Sequence, residues 1–225
     1  MEQNENDEPA SVLLERIRAE KKAQLGKKYV ESYIYKGDDN CYYEHIGGKN
    51  VNITEEIPYD LPNDWVWSRL NEYVDVRDGT HDSPKYLDKG YPLITSKNLR
   101  NGGIDFSTAK NISLKDYELI NLRSRVDDGD ILFAMIGSIG NPVLVCKTQE
   151  FAIKNMALFK RRLNLDLHYV YYFLLFIQEN LNKQASGGVQ KFISLNFFRD
   201  YLIPIPPLAE QKRIVDKINE IFAKL

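Results

Sequence analysis

Histidine and cysteine are scarce in this chain. Its 225 residues hold three histidines, His45, His81 and His168, and two cysteines, Cys41 and Cys146. No H-x-x-x-H pair occurs, and a zinc site would need both cysteines to meet two histidines far apart in sequence. Two cysteines fall short of a disulfide framework and suit a reducing compartment. No apolar run approaches the ~20 residues of a membrane span, and the acidic stretch Met1 to Ala10 is not a signal peptide. The expected location is the cytoplasm, with no membrane partner. Phosphate-loop and dinucleotide fingerprints are absent. Gly137-Ser138-Ile139-Gly140 misses the G-x-S-x-G nucleophile elbow by one position. The Asn-Pro-Pro-Tyr type segment and glycine-rich cofactor loop of a methyltransferase are missing too. His81-Asp82 is similar to part of a metal-dependent phosphohydrolase site, but the further His and Asp ligands are not found. No catalytic residue, metal site or bound cofactor is expected.

What is present begins with an uneven charge. The formal net charge is −2. Residues 1–60 hold 8 Lys/Arg against 13 Asp/Glu, whereas residues 61–225 hold 22 against 19. Binding to DNA follows a local basic surface, not the chain total, so the main body permits a nucleic-acid partner.

The pattern predicts an α+β fold in four stretches: 1–27 helical, 28–56 an extended linker, 57–205 one compact domain, 206–225 a coiled-coil helix. Ser11 caps the first helix and Gly26 stops it. Residues 27–52 show no clear period, although strands at Tyr33–Tyr35 and Cys41–His45 are the competing reading. Two prolines, Pro58 and Pro62, forbid a helix where the domain opens. Strands are predicted at Tyr91–Thr95, Asp130–Ile136, Pro142–Cys146, Met156–Lys160 and Tyr201–Ile205. A buried helix is predicted over Leu167–Leu181, with Tyr169, Tyr171, Tyr172, Phe173 and Phe176 as core rather than a base-stacking platform. Ser194 caps a short helix, Leu195–Asp200. At Ile203-Pro204-Ile205-Pro206-Pro207 an apolar run meets a proline corner, and a helix starts near Pro207. Within it Ile214, Ile218, Ile221 and Leu225 are spaced 4, 3 and 4, a coiled-coil seam that wants a partner.

Three polar loops carry groups suited to base edges and phosphates. Thr80 and His81 lie in the turn-rich segment Arg77–Tyr86. Lys97 and Asn98 follow directly after a strand. Gln190 and Lys191 end a segment whose Gly187 and Gly188 allow close backbone approach. Ser138, between Gly137 and Gly140, marks a weaker fourth loop that a tight hairpin explains as well. Each loop also has a plain reading as a solvated turn.

Several segments, in order, resemble the specificity subunits of type I restriction-modification enzymes. Asp7 to Lys21 is similar to the end of their central conserved region. Leu61-Pro62-Asn63-Asp64-Trp65 resembles the start of a target recognition domain, and Asp78-Gly79-Thr80-His81 its early loop. Gly129-Asp130-Ile131-Leu132 with Gly137 and Gly140 resembles its middle motif. Pro206-Pro207-Leu208-Ala209-Glu210-Gln211 resembles the exit into a conserved helix. The resemblance implies a non-catalytic module that reads half of a split double-stranded DNA target and docks modification subunits. S-adenosylmethionine would sit in those partners, and a restriction motor subunit would cleave. One recognition domain instead of two implies a half-subunit, with a homodimer through the helices as one way to complete it. A protein-interaction scaffold without DNA readout is the competing reading.

Overall fold

Prolines, glycines and Asn turns cut the chain into short elements. The computed structural model describes residues 3–185 and 191–224. In chain order these are α1 (Ala10–Leu25), β1 (Ser32–Lys36), β2 (Tyr42–Ile46), β3 (Lys49–Asn52), β4 (Val66–Arg69), α2 (Leu70–Tyr73), β5 (Asp75–Asp78), β6 (Tyr91–Ile94), β7 (Leu99–Arg100), β8 (Gly103–Ile104), β9 (Lys110–Ile112), α3 (Leu114–Ser124), β10 (Ile131–Ala134), β11 (Gly140–Leu144), β12 (Ala152–Ile153), β13 (Met156–Lys160), α4 (His168–Gln184), α5 (Leu195–Asp200), β14 (Leu202–Ile205) and α6 (Leu208–Phe222). The mixture is α+β, as expected. Two compact units emerge: residues 1–73 with 199–225, and residues 74–198.

The first unit buries Ala10, Leu13, Leu14 and Ile17 along one face of α1. Its N-cap is Pro9 without a side-chain cap, not Ser11, because the helix starts one residue before that serine. Residues 28–56 are not an extended linker. They hold an antiparallel sheet in the order β1-β2-β3. Gly37-Asp38-Asp39-Asn40 and Gly47-Gly48, which broke the period in the sequence, are its two hairpin turns, with positive φ at Asn40, Gly47 and Gly48. Arg69 donates to Glu44 at 2.7 Å and to Glu56 at 2.8 Å, tying this sheet to β4.

Strand β4 pairs antiparallel with β14, Val66 opposite Ile205 and Arg69 opposite Leu202. The segments that open and close the recognition domain in the resemblance are therefore neighbours. The first turn of α6 locks them. Trp65 Nε1 donates to Glu210 Oε2 at 2.9 Å, and Tyr73 hydroxyl donates to Gln211 Oε1 at 2.7 Å. Gln211 returns a bond to the Pro206 carbonyl at 2.9 Å. Glu210 and Gln211 are buried, so each needs these partners. Further along α6, Ile214 and Ile218 are half-buried, while Ile221 and Phe222 are 51% and 57% exposed. Leu225, the fourth seam position, lies outside the described residues.

The second unit is built on the sheet β11-β10-β13-β5. All of Ile131, Leu132, Phe133 and Ala134 are buried, as a central strand requires. Phe133 and Phe159 meet Phe198 edge to face, at centroid distances of 5.0 and 5.6 Å. A second sheet, β12-β6-β9, packs under α3 through Leu93, Ile112, Ile120 and Ala152. Strand Met156–Lys160 has the predicted bounds, and Ser194 caps α5 by accepting from the Phe197 N–H at 3.1 Å. The expected domain, 57–205, is wider than this unit. Residues 57–73 and 199–205 belong to the first unit, because β4 and β14 pair with each other there. The aromatic stretch on α4 also divides. Tyr169 is buried, but Phe176 is 79% exposed, since the helix buries only the face carrying Val170, Leu174, Ile177 and Leu181.

Candidate nucleic-acid interface

Strand registers decide where the candidate loops go. In the four-stranded sheet Ala134 lies opposite Met156 and Ala157 lies opposite Asp78. Gly140 lies opposite Ala134. The chain therefore leaves β5, leaves β10, enters β11 and enters β13 at one and the same end. The second sheet joins them there. Strands β12 and β6 run parallel, with Ile153 beside Ile94, so residues 154–155 and 95–98 exit together. The Lys154 N–H donates to the Ile94 carbonyl at 2.9 Å. Lys191 arrives at the same end, where its carbonyl accepts from the Gly137 N–H at 3.0 Å and Ile136 bridges to Phe192. Residues 79–83, 95–98, 136–139, 154–155 and 191 thus form one rim.

The early loop is held by backbone. Gly79 donates to Met156 O and Thr80 to Ile153 O, both at 3.0 Å. A Cβ on Gly79 would sit 2.5 Å from the Ile153 carbonyl oxygen, so only glycine fits this approach. Thr80 is 8% exposed and its hydroxyl accepts from the Asp82 N–H at 3.1 Å. It shapes the turn and does not face outward. His81 does, with a side chain 61% exposed. Its Nδ1 meets Asn155 Oδ1 and its Nε2 meets Asp78 Oδ2, both at 2.9 Å. Asp78 also pairs with Arg123 at 3.2 Å, and Arg123 donates to the Gly79 carbonyl at 3.2 Å.

The second loop splits between neighbours. Asn98 is 3% exposed. Its Oδ1 accepts from the Thr95 N–H and hydroxyl at 3.0 Å, and its Nδ2 donates to Asp105 O at 2.9 Å and Thr108 Oγ1 at 3.3 Å. This corrects the expectation that Asn98 meets DNA: every bond it makes builds the loop. Lys97 beside it is exposed.

Ser138 is exposed in the bend after β10. Lys191 is exposed, and its Nζ donates to the Asn182 carbonyl at 3.2 Å. Gln190 lies outside the described residues. The rim also brings in groups the sequence reading missed. Lys154 Nζ donates to Ser83 Oγ at 2.6 Å. Asn155, with φ 54, presents its amide to His81. Lys110 Nζ stands 4.5 Å over the Tyr86 ring. Lys154-Asn155 had one legible signal, its place directly before the predicted strand Met156–Lys160; Arg123 and Lys110 had none, being brought in by tertiary packing. Among the described residues no cluster of three His, Cys, Asp or Glu is poised to hold a metal. The rim has the chemistry of a phosphate- and base-contacting surface: several cations, hydroxyls and amides, and few carboxylates.

The fold places the chain in a class first. It is similar to the HsdS subunit from Thermoanaerobacter tengcongensis, with a TM-score of 0.57 and 22% identity over 74% of this chain and 39% of that one. It is also similar to a chain of a type I R-M system solved for its complex assembly and conformational transition, with a TM-score of 0.60 and 20% identity over 95% of this chain and 50% of that one. Both likenesses are of the α+β fold. Residues 62–225 match the type I restriction modification DNA specificity domain, and the chain belongs to that family. Its curated relatives include the EcoAI specificity subunit of Escherichia coli, 26% identical over 237 residues, 98% of this chain and 36% of that protein. The MjaVIII specificity subunit of Methanocaldococcus jannaschii is 24% identical over 175 residues, 76% of this chain and 39% of that protein. The chain spans less than half the length of these curated relatives. No described helix is long and apolar enough to cross a membrane.

Proposed function

We propose that this chain is a non-catalytic, sequence-specific DNA-reading module whose rim at residues 79–83, 95–98, 136–139, 154–155 and 191 meets double-stranded DNA. The observation that carries this reading is the convergence of those loops, from two sheets, on one end of the 74–198 unit. Lys97, Lys110, Lys154 and Lys191 supply phosphate contacts. His81, steadied by Asn155 and Asp78, and Ser138 are placed for base edges. Gln190 stays in the proposal as a base reader on sequence grounds. Thr80 contributes by fixing the loop.

In this reading the module recognises one half of a split target. Helices α1 and α6 dock modification subunits and set half-site spacing. S-adenosylmethionine is bound by those partners, and cleavage belongs to a separate motor subunit. The exposed Ile221 and Phe222 on α6 favour a helical partner there, either a conserved helix of the same assembly or that of a second copy.

Co-expression with the cognate modification subunit, followed by sequencing of methylated DNA, tests the proposal. A discrete methylated motif that changes when His81 or Ser138 is replaced supports it. Methylation without a motif, or a motif indifferent to every rim residue, overturns it and favours the scaffold reading.

A further inference from the structure

The sheet β1-β2-β3 lies outside residues 62–225, and one of its faces is built from aromatic rings. Strand alternation and register put Tyr33 opposite His45 and Tyr35 opposite Tyr43 on that face. Tyr33 and His45 stack at 4.8 Å between centroids, and Tyr35 and Tyr43 at 5.7 Å, with the rings 24° apart. All four side chains are half-buried, not covered. Each row ends in an exposed asparagine of β3, Asn50 opposite His45 and Asn52 opposite Tyr43.

The two rows differ in their company. The Tyr33 row already holds a cation: the Arg18 guanidinium lies 5.2 Å from the Tyr33 centroid. The Tyr35–Tyr43 row carries no cation over its rings among the described residues. Lys36, the nearest lysine in sequence, is tied to Asp60 at 2.9 Å and stands over Tyr42. Instead, the Tyr35–Tyr43 row meets carboxylates in the turn between β1 and β2. The Tyr43 hydroxyl donates to Asp39 Oδ2 at 2.7 Å, which makes its ring face more electron-rich. Asp38 beside it is exposed, and no hydrogen bond or ion pair reaches its carboxylate among the described residues. The turn packs closely against the ring, since a Cβ on Gly37 would lie 2.8 Å from Asp39 Oδ1 and 3.1 Å from the Tyr43 ring.

We propose that the Tyr35–Tyr43 pair and the Asp38–Asp39 turn form a docking site for an arginine-bearing segment of a partner protein. A guanidinium stacks on the ring pair as Arg18 does on Tyr33, while its N–H groups reach the Asp38 carboxylate. Charge selects this occupant over a nucleic-acid strand. Residues 1–60 carry 8 Lys/Arg against 13 Asp/Glu, and a phosphate backbone is repelled where a basic segment is drawn in.

The test is fluorescence anisotropy of the full chain with a labelled Gly-Arg repeat peptide, set against its lysine and citrulline counterparts. The arginine peptide should bind tighter than the lysine peptide, and the citrulline peptide should not bind measurably. The Tyr35→Leu/Tyr43→Leu variant keeps the chain's charge and should bind the arginine peptide on the order of fivefold more weakly. Tyr35→Phe, which keeps the ring, should bind as the parent does, and Asp38→Asn, on an exposed turn, should weaken binding without unfolding. Equal binding of arginine and lysine peptides, or a ring-free variant that binds as tightly as the parent, would reduce the site to plain charge attraction and overturn the proposal. An oligo-dT strand that displaces the arginine peptide from the parent but not from the ring-free variant would also overturn it, making the face a base-stacking platform.

Discussion

The two ends of the β11-β10-β13-β5 sheet keep their cations in different company. Opposite the rim, Lys160 donates to Asp127 at 2.8 Å and to the buried Asp130 at 2.6 Å. Lys147 pairs with Glu150 there at 2.9 Å. At the rim, Lys154 donates to a serine hydroxyl and Lys191 to a backbone carbonyl, while Lys110 covers a tyrosine ring. Those partners are neutral, so the charge is fixed in place but not cancelled. Arg123, paired with Asp78, is the rim's exception. Charges at one end are engaged in holding the fold, and charges at the other stay uncompensated.

If that division holds, substitutions at the two ends should separate stability from binding. The largest stability loss is expected at Asp130→Ala. It strips Lys160 of a buried partner and leaves the Asp127 N–H without the acceptor it has at 2.8 Å. Breaking such a pair costs about 3–5 kcal/mol, readable as a lower denaturant midpoint. Lys154→Ala, at the rim, should change stability by no more than about 0.5 kcal/mol. Next comes a pair of sequence neighbours. Asn98→Ala removes a buried amide that serves Thr95, Asp105 and Thr108, and should cost about 1–3 kcal/mol of stability. Lys97→Ala should cost almost none and act on DNA alone. If Asn98→Ala instead weakens DNA binding at full stability, the separation fails at its narrowest point.

That neighbour pair also marks the limit of what the sequence made legible. The strands at 91–94, 131–134 and 156–160 and the Ser194 cap were readable, because local pattern and burial agree there. So was the proline corner into α6. The sheet at 32–52 was legible only as the competing reading of strands at Tyr33–Tyr35 and Cys41–His45, since its strands alternate between tyrosines and polar groups and no period of apolar residues announces them. Of the candidate contacts, Lys97, Ser138, Lys191 and His81 lie on the surface. Thr80 and Asn98 share the same loops but turn inward, and a loop's composition cannot say which of its polar residues build it. The convergence of five segments on one rim depends on strand register, a property no single segment carries.

Binding effects at the rim come next in size. If His81 touches a base edge, His81→Ala should cost about 1–3 kcal/mol on the cognate half-site and relax the preference there, as competition with substituted duplexes would report. Lys97→Ala, Lys154→Ala and Lys191→Ala should each weaken all sequences alike. Each should also flatten the slope of log affinity against log salt by about 0.9. Lys147→Ala, at the opposite end, should leave that slope unchanged, and an equal change there would erase the distinction between the two ends.

The smallest effect is one of pH, and it lies wholly at the structural end. Burial pushes the Asp130 carboxyl above its usual value, with the Lys160 and Asp127 N–H bonds opposing the rise. Asp127, beside it, moves the other way. Its burial is outweighed by the Lys160 bond and the nearby charges of Lys160 and Arg125, which hold it below the usual range. The signs follow. A raised carboxyl binds its proton more readily folded than unfolded, so its contribution to stability improves as pH falls through the folded-state value. A lowered one contributes above the ordinary carboxylate value and loses that contribution as pH drops. Asp130→Asn removes only the first response. On acidification from neutral pH to the ordinary carboxylate value, the parent should therefore gain stability relative to Asp130→Asn, while Asp127→Asn should close its gap to the parent only as the pH falls on below that value. Denaturant midpoints of the three proteins across that range would show it. Parallel curves for the parent and Asp130→Asn would mean that Lys160 cancels the burial of Asp130 completely, and that the cations of the structural end are paired even more tightly than the distances imply.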